Sequence, residues 1–122
     1  MGSDVFDTPR HVAATAALAR MPRAGGKRYE AVFQHGSLQM EIYAPRGRDM
    51  HRPHDRDEVY VVLRGVGTFV NGTQRFAFRA GDVLFAAAGE VHRFEEFSQD
   101  FATWVFFYGP EGGERPPGPD AP

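Results

Sequence analysis

The chain has no cysteine among its 122 residues, which excludes disulfide bonds, thiolate nucleophiles and zinc sites built on cysteine. No apolar run approaches the roughly 20 residues of a membrane-spanning helix, and residues 1–22 lack the apolar core of a signal peptide. The net charge of −2 favours neither nucleic acid nor an anionic membrane as a partner. These absences predict a cytoplasmic protein with no nucleic-acid or membrane partner.

The composition that remains is that of one soluble domain rich in aromatic side chains. Apolar residues make up 42% of the chain and charged residues 25%, both ordinary for a globular protein. Eleven Phe and four Tyr residues favour strands over helices, because large rings pack well on a pleated surface. A chain of this length is expected to form one domain with its own core.

One short helix is predicted near the N-terminus. Residues 9–21 are rich in alanine, Thr8 can cap a helix there, and Pro9 suits its first position. The segment 22–26 would end the helix, so residues 1–26 are predicted to be a helix and linker packed on a larger domain. The candidate inward residues are Val12, Ala16 and Leu18.

The rest of the chain has the pattern of an all-β domain. Strand-like segments of about five to eight residues alternate with turns, and Asn71-Gly72 between apolar segments is a strong hairpin signal. This spacing predicts a β-sandwich or β-barrel over residues 27–109, followed by a flexible tail rich in proline and glycine over 110–122. The predicted strands are 29–34, 38–44, 58–65, 67–70, 73–78, 83–88, 92–97 and 101–109.

The stretch 51–58, HRPHDRDE, has the residue types of a metal site. On a straight strand His54 and Glu58 would lie roughly 13 Å apart, too far to share one ion. The turn-forming residues 55–57 between them predict a bend that brings both side chains into one space. Glu58 opens a strand that is apolar on both faces, so its carboxylate needs a partner. His92, which opens another strand, is the third candidate ligand, and this donor set suits zinc, iron, nickel, copper or manganese.

These residues resemble the two motifs of the cupin superfamily, in particular the small single-domain RmlC-like members. His54, Glu58 and Gly65 match the first motif, and Gly81, Gly89 and His92 match the second. The resemblance covers roughly residues 30–108. It implies a jelly-roll β-barrel, a divalent transition metal held at the barrel mouth by His54, Glu58 and His92, and pairing into a homodimer.

The first motif departs from the family pattern at one ligand position. The family's first histidine would fall at Arg52, whereas this chain has His51, with Pro53 between it and His54. Residues 51 and 54 point to opposite faces of a regular strand, so His51 can be the fourth ligand only if the backbone bulges. Otherwise water or substrate takes that position. In the second motif Ala87 and Glu96 replace the family's proline and asparagine.

Several other residues have two interpretations. Aromatic side chains are candidates for a substrate pocket or for plain barrel core, and Arg52 is a candidate substrate-binding residue. The four arginines of residues 46–56 form either an anion-binding rim at the barrel mouth or ordinary surface charge balanced by nearby aspartates. Glu96 is either a general base or an ion-pair member, and His11 and His35 are expected to be solvent-exposed. The aromatic candidates are Tyr43, Tyr60, Phe94, Trp104 and Phe106, and the arginines are Arg46, Arg48, Arg52 and Arg56.

Three functions remain open from the sequence. The first is a metal-dependent enzyme of the dioxygenase or isomerase type acting on a small, anionic organic molecule. The second is a binding or sensing module with the same metal and no turnover, and the third is a metal-free cupin in which His54 and His92 act as acid and base. The homodimer is expected to form through the second face of the 59–63 strand, together with Phe101, Val105 and Phe107.

Overall fold

The computed structural model of the chain describes residues 8–49 and 53–115. The all-β prediction is confirmed, with one short helix, α1, and one 3-10 turn before the strands. The elements are α1 (Ala14–Ala19), the 3-10 turn (Ala24–Gly26), β1 (Tyr29–His35), β2 (Leu38–Tyr43), β3 (Asp57–Arg64), β4 (Val66–Asn71), β5 (Gln74–Arg79), β6 (Val83–Ala86), β7 (His92–Glu95) and β8 (Ala102–Tyr108).

The strands form two antiparallel sheets that enclose one aromatic core. The larger sheet has the order β1-β2-β8-β3-β6 and the smaller one β5-β4-β7. Phe94 lies at the centre of the core, with its ring centroid 5.1 Å from Tyr60, 5.4 Å from Phe69 and 4.9 Å from Phe101. Because these rings come from both sheets and from the loop before β8, their packing holds the two layers together.

The inward and outward faces of β8 are the reverse of those expected. Val105 and Phe107 point into the core, whereas Trp104 and Phe106 lie on the outer face, opposite Val61 and Val59. Phe101, which was expected at a dimer surface, is fully buried. Trp104 therefore does not line the barrel interior. Because the residues of β8 are almost all apolar, its two faces look alike in the sequence. The two-residue alternation of a strand therefore does not show which face points inward.

The N-terminal helix is shorter than predicted. It begins at Ala14, with Ala13 as a cap that makes no side-chain hydrogen bond. The hydroxyl of Thr8 does not cap it, because that group donates to the carbonyl of Gln34 in β1. Ala17 is its buried residue, and Ala16, expected inward, is exposed. No helix in the described ranges is long and apolar enough to cross a membrane.

The segment after β8 is hydrogen-bonded to the buried carboxylate of Asp57. Asp57, at the start of β3, is 4% exposed, and its two oxygens accept hydrogen bonds from the backbone N–H groups of Ala88 and Glu114. The first part of the predicted tail over 110–122 is thus held against the chain segments at the start of β3 and the end of β6. Residues 116–122 lie outside the described residues.

Gly65, between β3 and β4, is required by close packing. Its φ is +91°, and an added Cβ would lie 2.6 Å from Cα of Phe101 and 2.7 Å from Oγ of Ser98. Gly81 has nearly the same φ, +93°, but an added Cβ there would meet open space. Alanine substitutions at the two glycines therefore share the free-energy cost of a left-handed backbone, and only the substitution at Gly65 adds the cost of a steric clash.

We expect Gly65→Ala to lower the free energy of unfolding by about 2 to 5 kcal/mol, because left-handed strain and overpacking add. Gly81→Ala, the matched control, should lose only about 1 to 2 kcal/mol, the backbone term alone. Urea titration followed by circular dichroism measures both. Equal losses in the two variants would show that the 98–101 loop yields to the added methyl group.

Candidate metal and ligand site

Glu58 places a carboxylate inside the barrel. It is the second residue of β3, faces inward, and lies opposite Phe107 of β8 and Ala86 of β6 in the sheet. Its side chain is 1% exposed, so its charge must be compensated by nearby donors or cations. The alternation of β3 puts Tyr60, two residues later, on the same face.

His92 reaches Glu58 from the opposite sheet. It opens β7, its side chain is 1% exposed, and its Nε2 lies 2.8 Å from Oε2 of Glu58. The hydroxyl of Tyr60 donates to that carboxylate oxygen at 2.9 Å and lies 3.0 Å from Nε2 of His92. The three side chains form a closed triangle of polar atoms within the aromatic core.

The hydrogen bonds of His92 fix which ring nitrogen carries a hydrogen. Its Nδ1 lies 2.7 Å from the carbonyl oxygen of Glu90, and a carbonyl only accepts, so Nδ1 must donate. In the neutral ring the lone pair is then on Nε2, the atom that faces Glu58. Two lone pairs 2.8 Å apart repel unless a cation lies beside them. The geometry thus calls for a proton or a metal ion at this point.

The electrostatics of the site agree with this requirement. Burial lowers the pKa of His92, but the hydrogen bonds to Glu58 and the Glu90 carbonyl, with the charges of Glu58 and Asp49, outweigh it and raise the pKa overall. Burial, followed by the charge of Glu58, raises the pKa of Tyr60 far above its ordinary value. Tyr60 is therefore a neutral phenol that donates hydrogen bonds.

His54 completes the cluster at its outer end. Its Nε2 lies 3.7 Å from Oε1 of Glu58, its side chain is 46% exposed, and its ring centroid is 4.6 Å from that of Phe107. The carbonyl of His54 accepts a hydrogen bond from the backbone of Gly89, which joins the two motif segments. The predicted bend at 55–57 thus does bring His54 and Glu58 together. His51 and Arg52 lie outside the described residues.

The cluster suits a metal ion in its donor chemistry. Imidazole nitrogens and a carboxylate are ligands of divalent transition metals. Ligand atoms at about 2.0–2.2 Å from one ion lie about 3 to 3.5 Å apart. The two imidazole–carboxylate distances, 2.8 and 3.7 Å, bracket that spacing. Within residues 8–49 and 53–115, no group of three or more His, Asp or Glu side chains is arranged so that it could hold a metal ion. His54, Glu58 and His92 therefore have the donor types of such a site and two distances near its ligand spacing, one to each oxygen of Glu58, but as placed the three side chains do not form a metal site.

The other residues considered from the sequence divide between the interior and the surface. Tyr43, Tyr60 and Phe94 belong to the buried core beside the cluster. Glu96 lies beyond the end of β7, 73% exposed, in an ion pair with Arg75, which does not support a role as general base. Arg56 donates to the carbonyl of Gly109, while His11 and His35 are exposed as expected.

Two polar residues of the interior were missed by the sequence analysis. Gln39 and Glu41 lie on the inward face of β2, where Gln39 pairs with Phe107 and Glu41 with Val105. The amide of Gln39 donates to Glu41 at 3.0 Å. Their signal was present in the sequence: positions 39, 41 and 43 share one face of a strand, and Tyr43 had been assigned to the interior.

Asp49, in the loop after β2, connects the two sheets by hydrogen bonds. Its carboxylate accepts a hydrogen bond from the hydroxyl of Tyr43 and another, at 2.8 Å, from the backbone N–H of Phe94. This links the end of β2 in the large sheet to β7 in the small sheet. These hydrogen bonds hold β7, which carries His92, close to β2, which carries Gln39 and Glu41.

The fold and the His–Glu–His cluster define a small jelly-roll protein with a polar cluster at one end of its aromatic core. Residues 39–108 match the cupin domain family, and the chain belongs to that family. An uncharacterized protein of Streptomyces coelicolor is 35% identical over 63 residues, 52% of this chain and 60% of the relative. The chain thus matches about 60% of the length of that curated relative.

Solved structures support the same fold. A cupin 2 conserved barrel domain protein from Salinispora arenicola is 17% identical, with a TM-score of 0.62 over 84% of this chain and 90% of the other. Protein NMB1881 from Neisseria meningitidis is 15% identical, with a TM-score of 0.64 over 81% of this chain and 99% of the other. At these identities the likeness shows the fold alone.

Proposed function

We propose that this protein holds one divalent transition metal ion at His54, Glu58 and His92 and acts on a small organic molecule as a dioxygenase or isomerase type of cupin enzyme. The candidate ions are zinc, iron, nickel and manganese. The observation that carries the proposal is the position of His92, whose Nε2 faces the Glu58 carboxylate at 2.8 Å while its Nδ1 is held by the Glu90 carbonyl. A metal ion satisfies both lone pairs at once.

The chain's own residues have distinct roles in this proposal. His51, outside the described residues, is the candidate fourth donor. Tyr60, a neutral phenol, orients the Glu58 carboxylate by donating to it. Gln39 and Glu41 offer polar groups that can orient a substrate, and the aromatic core keeps water out. When bound, the metal supplies Lewis acidity to a substrate oxygen.

A metal-free acid–base site is the second candidate. One observation favours it: Tyr60, Glu58 and His92 already satisfy one another through hydrogen bonds at 2.9 and 2.8 Å. In this form a proton on Nε2 takes the place of the metal, and His92 and His54 serve as acid and base. Metal content decides between the two candidates.

The first test is the metal content of untagged protein, by elemental analysis after purification and after reconstitution with each candidate ion. We expect about one equivalent per chain, lost in His92→Ala and in Glu58→Gln because each removes a donor. His35→Ala, which removes an exposed histidine in the β1–β2 hairpin, is the control and should keep the metal. No metal in the wild type after reconstitution would overturn the proposal in favour of the acid–base site.

The bound metal should be lost on acidification, because protons compete for the imidazole ligands. The pKa of His92 is raised in the metal-free protein, so competition begins at or above about pH 6.5 and strengthens as the pH falls. Dialysis at a series of pH values with metal analysis measures this. Full occupancy at pH 4, well below the ordinary pKa of histidine, would contradict imidazole ligation.

The partner proposed for this protein is a second copy of the chain, bound through the outer face of the large sheet. Paired apolar residues of β2, β8, β3 and β6 form two rows across that face. The exposed fraction of these residues rises from 0% at Ile42 in β2 to 64% at Val83 and 49% at Phe85 in β6. The uncovered end thus lies on β6, the edge strand. The rows are Ile42, Trp104, Val61 and Val83, and Met40, Phe106, Val59 and Phe85.

We expect a dimer mass in light scattering, and a shift to monomer in a Val83→Lys/Phe85→Asp variant, because charges disrupt an apolar interface. The control is Phe76→Asp, which charges an exposed phenylalanine of the other sheet. A monomer mass for the wild type at high concentration would contradict the proposed homodimer.

A further inference from the structure

A cleft outside the barrel lies between the 3-10 turn and the segment that follows β2. Its volume is about 600 Å³. Tyr43 forms the wall between this cleft and the core, since its ring centroid also lies 6.3 Å from that of Phe94. The described lining residues are Gly25, Gly26, Lys27, Arg28, Tyr29, Tyr43, Pro45, Arg46 and Arg48.

Four cationic side chains line this cleft: Lys27, Arg28, Arg46 and Arg48. No acidic side chain among the described residues does so. The nearest acids along the chain are engaged elsewhere: Glu30 pairs with Arg20 and Arg23 at the helix end, and Asp49 accepts from Tyr43 and Phe94. The cleft therefore concentrates positive charge that the described carboxylates do not neutralise.

The two central guanidinium groups are held close together by backbone carbonyls. Nε of Arg28 donates to the carbonyl of Ala44 at 2.7 Å, and Arg46 donates to the carbonyls of Ala44 and Pro45 at 3.3 and 3.1 Å. Burial, and then the charge of Arg46, lower the pKa of Arg28. A bound anion would offset this repulsion and use the remaining N–H donors.

The open side of the cleft offers a flat apolar surface. Tyr29 is 46% exposed, and Nζ of Lys27 lies 5.9 Å from the centroid of its ring. The two glycines that line the cleft, Gly25 and Gly26, have no atoms within 4 Å of an added Cβ, so the space beside them is open.

We propose that this cleft is a binding site for a small multiply charged oxyanion, a phosphate or polycarboxylate group, separate from the Glu58–His92 cluster. Of the two interpretations of the arginines drawn from the sequence, this proposal takes up the anion-binding one with a different set of residues. Arg46 and Arg48 remain in it, Lys27 and Arg28 join them from the other side, and Arg56 lies elsewhere, against the carbonyl of Gly109.

The test is calorimetric titration at low ionic strength with inorganic phosphate and, separately, with citrate. The cleft variant is Arg46→Gln/Arg48→Gln. The control, Arg10→Gln/Arg79→Gln, removes the same charge at two exposed positions away from the cleft. We expect the cleft variant to bind at least about tenfold more weakly, a loss of about 1.4 kcal/mol, and the control to change by less than about twofold.

A further variant separates this site from the barrel interior. His92→Ala should bind the anion as the wild type does, because the cleft lies on the outer side of Tyr43. Tighter phosphate than citrate binding assigns the site to phosphate groups, and the reverse assigns it to carboxylates. Equal weakening in both double variants, loss of binding in His92→Ala, or no binding of either anion to the wild type would overturn the proposal.

Discussion

The burial of the Glu58 carboxylate within an aromatic core is the constraint on which the barrel interior depends. An uncompensated charge in such surroundings costs several kcal/mol, so the fold must supply partners for it. Those partners come from different parts of the chain: Tyr60 from the same strand, His92 from the opposite sheet, and His54 from the loop before β3. The polar cluster consequently joins the two sheets at one end, as the rings around Phe94 join them in the middle.

The same cluster shows why the sequence was informative about the site. The spacing of His54 and Glu58, with turn-forming residues between, predicted a bend that brings both side chains into one space, and in the structure they lie 3.7 Å apart. The need of a buried carboxylate for a partner was also predicted, and His92, named from its place at the start of a strand and in the second motif, is that partner. By contrast, β8 is apolar on both faces, and nothing in its periodicity told Val105 from Trp104. Which face turned inward was decided by pairing with β2 and β3, which is tertiary information.

Residues far apart in sequence account for most of what was missed. Gln39 and Glu41 look like outward positions by their polarity, although they share a strand face with Tyr43, and the pairing of β2 with β8 shows that this face is the inward one. Lys27 and Arg28 join Arg46 and Arg48 because β1 and β2 form a hairpin whose open ends lie side by side. The N-terminal helix was predicted too long because Thr8 hydrogen-bonds to Gln34 of β1 instead of capping the helix. Propensity and capping rules cannot detect such competition from tertiary contacts.

Asp57 and Glu58 are adjacent in β3, and their carboxylates serve opposite sides of the sheet. Glu58 meets the imidazole of His92 inside, while Asp57 accepts the backbone N–H groups of Ala88 and Glu114 outside. Sliding β3 by one residue against its neighbours would exchange the two sides. The longer acid would then face the backbone donors, and the shorter one would fall short of the imidazole. Two neighbouring acids thus fix the strand's alignment, which the aliphatic side chains of Val59, Val61, Val62 and Leu63 would not do by themselves.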